Sequence, residues 1–258
     1  NMKTIIAVTF FGILTYAFGE HTNEISENYE DINHESHSCS CKYKPMANFN
    51  LTAYLQMTQT HKTYSKYETI TVCRVSNTER KESGSVEANI YGYYEFSGEI
   101  YYSEIICNSK EDSMKTGHYS ADCQIVEDTY PYDLLENSTD HLHTEISNHL
   151  ETDIPDDLQT LASYDPTKFQ LSVTVIDTDY KNYAIIYNCM KDVLGAADNI
   201  EILQTNIFGC EDPIKEALEK NQMKFEEFLL KNATYCLSHG RQVTTEKQEE
   251  NNEIQAKK

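Results

Sequence analysis

Eight segments of this chain, at residues 51–60, 67–77, 85–96, 100–108, 118–126, 169–177, 183–190 and 199–205, are rich in Val, Ile, Thr and Tyr. They show partial alternation of apolar and polar positions, the pattern of strands that bury one face. Most of the connections between them are short and polar, with residues 61–65 in the first loop, which implies an antiparallel meander. A meander of eight strands loses its edges by closing on itself, and the resulting interior is wide enough for one small ligand. After the last strand the period changes. Asp212 can cap a helix that carries Pro213 in its first turn, and Ile214, Ala217, Leu218, Phe225, Phe228 and Leu229 recur at helical spacing. The sequence therefore predicts an all-β, eight-stranded up-and-down barrel with a C-terminal α-helix on its wall.

The segment before the first strand predicts the compartment. Met2 and Lys3 precede an apolar run through Ala17, and Ala17-Phe18-Gly19 suits a signal peptidase, so residues 1–19 are expected to be a signal peptide and the protein secreted, with no membrane span. In an oxidising lumen the eight cysteines, at positions 39, 41, 73, 107, 123, 189, 210 and 236, most simply form four disulfides. Asn50, Asn137 and Asn232 each begin an Asn-x-Thr/Ser glycosylation sequon.

Charge divides the chain further. Acidic residues number 42 against 21 basic ones, and the formal net charge is −21, which disfavours nucleic acid as a partner. The excess is concentrated: residues 20–38 hold six acids and residues 127–165 hold eleven, with no Lys or Arg in either. The domain organisation read from this is an acidic extension at 20–38, a barrel domain at 39–236 carrying an acidic insert at 127–166 between the fifth and sixth strands, and a polar, disordered tail at 237–258. No Gly-x-Ser-x-Gly elbow, phosphate-cradling loop or zinc-protease histidine pair is present, so binding rather than turnover is expected.

Specific stretches resemble the lipocalins (calycins), and among them the salivary lipocalins of blood-feeding triatomine bugs, the triabin and nitrophorin group. These are the leader Met2-Lys3-Thr4-Ile5-Ile6-Ala7-Val8-Thr9-Phe10, the hairpin Asp177-Thr178-Asp179-Tyr180-Lys181-Asn182-Tyr183 running on to Cys189, and Lys224-Phe225-Glu226-Glu227-Phe228-Leu229 followed by Cys236. The chain departs from the lipocalin pattern in having no Trp, so the N-terminal Gly-x-Trp signature is missing and residues 50–57 occupy its place. The resemblance implies pairing of Cys39 or Cys41 with Cys189, and of Cys73 with Cys236. Cys107 and Cys123, on adjacent strands of one hairpin, form a third pair, and Cys210 is left for the other N-terminal cysteine. Each bridge would contribute on the order of 2–4 kcal/mol. The haem-ligating histidine of nitrophorins would fall at Gly92, so no haem and no metal are expected.

The resemblance also implies a monomeric antihaemostatic protein of saliva that removes a small agonist by stoichiometric binding. If the Cys107–Cys123 bridge lies on the outer face, alternation points Tyr102 and Glu104 inward. Glu104, enclosed by Ile90, Tyr94 and Tyr102, would then pair with the ammonium of a biogenic amine. A lipid mediator is the other ligand class. An alternative is inhibition of a coagulation protease such as thrombin by the acidic insert, where Tyr130, Tyr132, Asp133 and Glu136 combine aromatic and carboxylate groups suited to a basic surface. A general hydrophobic carrier is the third reading.

Overall fold

The computed structural model describes residues 43–131, 165, 167–192 and 195–242. The leader, the acidic extension, Cys39, Cys41, Tyr132, Asp133, Glu136, Asn137 and residues 243–258 lie outside the described residues.

A closed antiparallel barrel is formed by β1 (Gln59–Ser65), β2 (Thr71–Arg80), β3 (Ser85–Phe96), β4 (Glu99–Lys110), β5 (His118–Asp128), β6 (Lys168–Thr178), β7 (Tyr183–Asp192) and β8 (Gly195–Gln204). Consecutive strands pair, and β1 closes the ring by pairing with both β8 and β2. A short ninth strand, β9 (Leu229–Leu230), is laid against β1. Helix α1 (Leu51–Tyr54) and helix α2 (Glu111–Met114) stand at one end of the barrel. Helix α3 (Asp212–Lys220) packs on the outer wall, and α4 (Ala233–His239) on another part of it.

Several sequence expectations are corrected by these boundaries. Residues 51–60 are not one strand: Asn50 caps α1 by accepting from the Ala53 amide, and the first strand begins at Gln59. His61–Ser65, expected as a loop, is the body of β1, and the β1–β2 connection is residues 66–70. The expected helix over Ile214 to Leu229 ends at Lys220; Phe225–Glu227 is a 3-10 turn and Leu229 enters β9. Ordered structure does not stop at Cys236, because α4 continues to His239 and Arg241 is anchored beyond it.

The β6–β7 turn shows how the hairpin stretch earns its shape. Asp179 Oδ1 accepts from the backbone amides of Lys181, Asn182 and Tyr183 at 3.0, 2.7 and 3.1 Å. Burial alone would raise the pKa of this carboxyl, but the bonds outweigh it and hold the group below its usual range. Tyr180, with a φ of 62°, then turns its hydroxyl to receive the Asn50 amide at 3.0 Å, tying the turn to α1.

Burial occurs in three main places. Met57, Ile105, Leu171, Val173, Ala184, Ile186 and Met190 belong to the cluster inside the barrel. Outside it, Ile214, Ala217, Leu218 and Phe228 cover Tyr64, Ile185, Tyr187, Ile200 and Ile202. Cys73, Val75, Tyr93 and Tyr102 form the third cluster, beneath Tyr235 and Cys236 of α4. Most of the wall is thus buried on both faces, which removes the clean alternation that a strand exposed on one side would show.

Candidate ligand site in the barrel

Strand pairing fixes which side chains look inward. On β1 and β2 these are Thr60 and Lys62, and Arg74, Ser76 and Thr78; on β3 they are Val86, Ala88 and Ile90. On β4, β5 and β6, odd-numbered Cys107, Ser109, Tyr119, Ala121, Leu171 and Val173 face the same space, joined by Ala184, Ile186 and Asn188 of β7 and by Glu201 and Leu203 of β8. Together they surround a cavity of about 130 Å³. That is close to the roughly 150 Å³ of an engineered protein cavity that admits benzene. It takes a ring or a few methylenes without rearrangement, and Met57 and Met114, unbranched and polarizable, can move to take more.

The lower part of the cavity, towards α1 and α2, is lined mainly by apolar side chains, with the hydroxyls of Thr78, Ser109, Tyr54 and Tyr119 among them; the two tyrosines hydrogen-bond to one another, and burial pushes the Tyr54 hydroxyl up to about 12. Its upper boundary is a layer of ions. Lys62 donates to Glu201 Oε1 in a buried pair, and Asn188 Nδ2 donates to Glu201 Oε2 at 3.0 Å. Arg74 lies in the same layer and feels the charges of Glu201 and Asp128. Burial lowers both cations from their ordinary values despite the carboxylates beside them. The layer has two unsatisfied atoms among the described residues: Arg74 Nη1 and Asn188 Oδ1 are buried with no hydrogen-bond partner. An unpaired guanidinium nitrogen in such a place is costly and strongly favours an incoming acceptor.

The inward assignment corrects the expected amine site. Cys107 and Cys123 are bridged, with Cα atoms 4.0 Å apart, and Cys107 faces the cavity, so the bridge is on the inner face. Tyr102 and Glu104 consequently point outward, beneath the C-terminal segment. There Glu104, 1% exposed, accepts from Asn89 Nδ2 at 2.7 Å, Tyr102 hydroxyl at 3.0 Å and Arg241 Nε at 2.9 Å, with Arg241 Nη2 completing a bidentate pair. Glu104 is therefore engaged by the protein itself and is not in the cavity. Of the four expected barrel residues, Ile90 lines the cavity, and Tyr94 stands above the ion layer, donating to Asp128 Oδ1 at 2.7 Å. Lys62, Arg74, Asn188 and Glu201 are absent from the sequence-based expectation. The signal available was two cations, Lys62 and Arg74, on adjacent strands and a carboxylate, Glu201, between Ile200 and Ile202 of β8.

The other expected positions fall as follows. Tyr130 packs edge-on against Phe96 and Tyr101, with ring centroids 5.7 and 5.0 Å away. Asn50 and Asn232 are exposed. Cys73 is bonded to Cys236. Cys189 is disulfide-bonded, and its expected partners, Cys39 and Cys41, lie outside the described residues. Cys210 is exposed and has no bridge to another cysteine among the described residues; its expected partner, Cys39 or Cys41, lies outside them. At Gly92 an added Cβ would sit 2.1 Å from the Cys73 carbonyl oxygen, so the backbone approach there leaves no room for any side chain.

A barrel of eight antiparallel strands, closed at one end by a short helix, walled by C-terminal helices and hollow within, is a lipocalin. A sequence model of the Triabin family matches residues 157–211. Pallidipin of Meccus pallidipennis is 24% identical over 237 residues, spanning 91% of this chain and 98% of that protein. Triafestin-2 of Triatoma infestans is 30% identical over 214 residues, spanning 80% and 79%. Among solved structures, the tryptamine complex of the amine binding protein of Rhodnius prolixus aligns with a TM-score of 0.50 at 19% identity, covering 79% of this chain and 90% of that one. A biogenic amine-binding protein aligns with the same TM-score at 18% identity, covering 79% and 91%. These structural matches speak for the fold. The chain belongs to the triabin family, the triatomine salivary lipocalins.

Proposed function

We propose that this protein is a secreted salivary scavenger that binds one amphipathic small molecule bearing an acidic group, a lipid mediator of host haemostasis rather than a biogenic amine. The observation that carries this reading is the unpartnered Arg74 Nη1 at the cavity wall. Of the two carboxylates at the ion layer, Glu201 is already occupied by Lys62 and Asn188, and Asp128 accepts from Tyr94. Lys62 and Arg74 stand against Glu201 in the layer and Asp128 above it, so what draws a ligand carboxylate is the unpartnered Nη1 of Arg74 rather than an excess of positive charge. The first few methylenes of the apolar tail fill the space below, among Ile90, Leu171, Val173 and Ile186, and the rest of a longer tail requires Met57 and Met114 to move aside; Asn188 Oδ1 offers an acceptor to a ligand hydroxyl. The family's members are binding proteins, and this chain acts in the same manner, by capture without turnover and without haem or metal.

Isothermal titration with arachidonate, its methyl ester and serotonin tests the reading. Arachidonate binds one-to-one, the ester binds more weakly by about tenfold or more, and Arg74→Met loses a similar factor. Binding of serotonin with none of arachidonate would overturn it in favour of an amine scavenger.

A further inference from the structure

The two most exposed large apolar side chains among the described residues, Phe208 at 76% and Leu230 at 72%, line one groove on the outer side of the barrel. Thr63, Tyr64 and Gln204 of the barrel strands line it with them, and its volume is about 340 Å³. That falls within the roughly 300–1,000 Å³ of sites that hold small organic groups. Both side chains are held where they are by the backbone. Asn206 Oδ1 accepts from the Phe208 amide at 3.0 Å and the Asn206 carbonyl from the Gly209 amide at 2.9 Å, so Phe208 sits in a fixed turn. Leu230 is set opposite Tyr64 by the pairing of β9 with β1. Two apolar side chains kept together in a groove open to water mark a surface with an occupant.

The groove carries its own point of attachment. Asn232 and Thr234, the first and third residues of a glycosylation sequon, line it and are exposed. The Thr234 hydroxyl donates to Asn232 Oδ1 at 2.7 Å, and Asn232 Nδ2 has no hydrogen-bond partner among the described residues. The backbone beneath is anchored: the Asn232 amide donates to Val72 of β2 at 3.1 Å, and the Cys73–Cys236 bridge fastens α4, which Asn232 opens, to the same strand. A group joined to Asn232 therefore starts from a fixed place at the lip of the groove, and little freedom is lost when it settles there.

We propose that Asn232 carries an N-linked glycan whose first sugars lie in this groove, against Phe208 and Leu230. In the secretory lumen the Asn232 amide takes an oligosaccharide from a lipid-linked oligosaccharyl diphosphate. The bond from Nδ2 to the sugar C1 forms, the bond from C1 to the phosphate oxygen breaks, the lipid diphosphate leaves with that electron pair, and the amide gives up one proton. The C–H face of a pyranose ring is apolar and covers an aromatic ring as an aliphatic side chain does, while the sugar hydroxyls stay in water. Such a glycan depends on secretion and is independent of what the barrel binds.

The test uses the full chain secreted from insect cells. Peptide mapping by mass spectrometry, before and after peptide N-glycosidase, should find Asn232 glycosylated; an unmodified Asn232 would overturn the proposal. Hydroxyl-radical footprinting then compares the wild type with Thr234→Ala, which loses the sequon, and Thr234→Ser, which keeps it. Phe208 and Leu230 should be labelled about threefold to tenfold faster in Thr234→Ala than in the other two, the factor that one aromatic contact supplies. Wild-type protein stripped by the glycosidase takes the place of Thr234→Ala if that variant is not secreted. Equal labelling in every form would also overturn the proposal: if fast, the groove is empty, and if slow, it belongs to a protein occupant such as a second copy of the chain.

Discussion

The Lys62 ammonium and the Glu201 carboxylate meet inside the barrel, 139 residues apart in sequence, with both residues buried. Two charges withdrawn from water depend on each other, and removing either one leaves the other uncompensated.

Glu201→Gln is accordingly expected to reduce the unfolding free energy by about 3 kcal/mol at neutral pH. The loss should shrink as pH rises. A lysine with a folded-state pKa below its unfolded value favours the fold increasingly as pH climbs from the lower value to the higher, because the neutral amine is the form the interior accepts. Urea titrations of the variant at pH 7 and pH 9 measure both effects.

Glu104 predicts sensitivity to acid. Burial acts to raise its pKa, but the bonds from Arg241, Asn89 and Tyr102 outweigh it and leave the value below the ordinary one. Stability from this group is complete above the unfolded pKa of about 4.3 and is lost as pH falls through the lower folded value. Glu104→Gln removes that dependence, flattening the acid limb of the stability curve. Arg241→Ala strands the carboxylate and loosens the chain after α4, which hydrogen exchange of the α4 amides will register as faster exchange.

Gly92→Ala should be among the most damaging single changes. The new methyl carbon would stand 2.1 Å from the Cys73 carbonyl oxygen and 2.9 Å from Arg74 Cα, both backbone atoms of β2. Neither can swing aside without breaking the β2–β3 ladder beside the ion layer. A cost of about 3 kcal/mol or more follows, and thermal unfolding of the variant checks it.

Cys210 should react with iodoacetamide under native, non-reducing conditions, whereas Cys73, Cys107, Cys123, Cys189 and Cys236 should stay unmodified. Peptide mapping after alkylation reads the difference directly.

The strands are legible in the sequence where β-branched and aromatic residues crowd together, as in β3, β6 and β7. Which way they face is harder to read, and β4 shows why. Ile100, Tyr101, Tyr102, Ser103, Glu104, Ile105, Ile106 and Cys107 offer no polar face, since α4 and Arg241 cover the outside of the barrel as effectively as the core fills the inside. Parity therefore depends on where the Cys107–Cys123 bridge is placed, and the inner placement sends Glu104 out. Strand β1 poses the opposite difficulty. Gln59-Thr60-His61-Lys62-Thr63-Tyr64-Ser65 reads as mostly polar loop, yet every residue after Gln59 is buried, because Lys62 finds its partner on β8 and Tyr64 donates to Glu211 beside α3. Long-range pairing of this kind leaves no local trace.

The ion layer sits partway down the barrel on rigid strands, well below the rim. With the ion layer as the selecting element proposed above, discrimination between molecules would be settled at depth, after a visitor has already shed its water, and the connections around the entrance would carry little of that burden. Such an arrangement would let the rim lengthen, acquire charge or gain sugars without altering the preference written into the shaft.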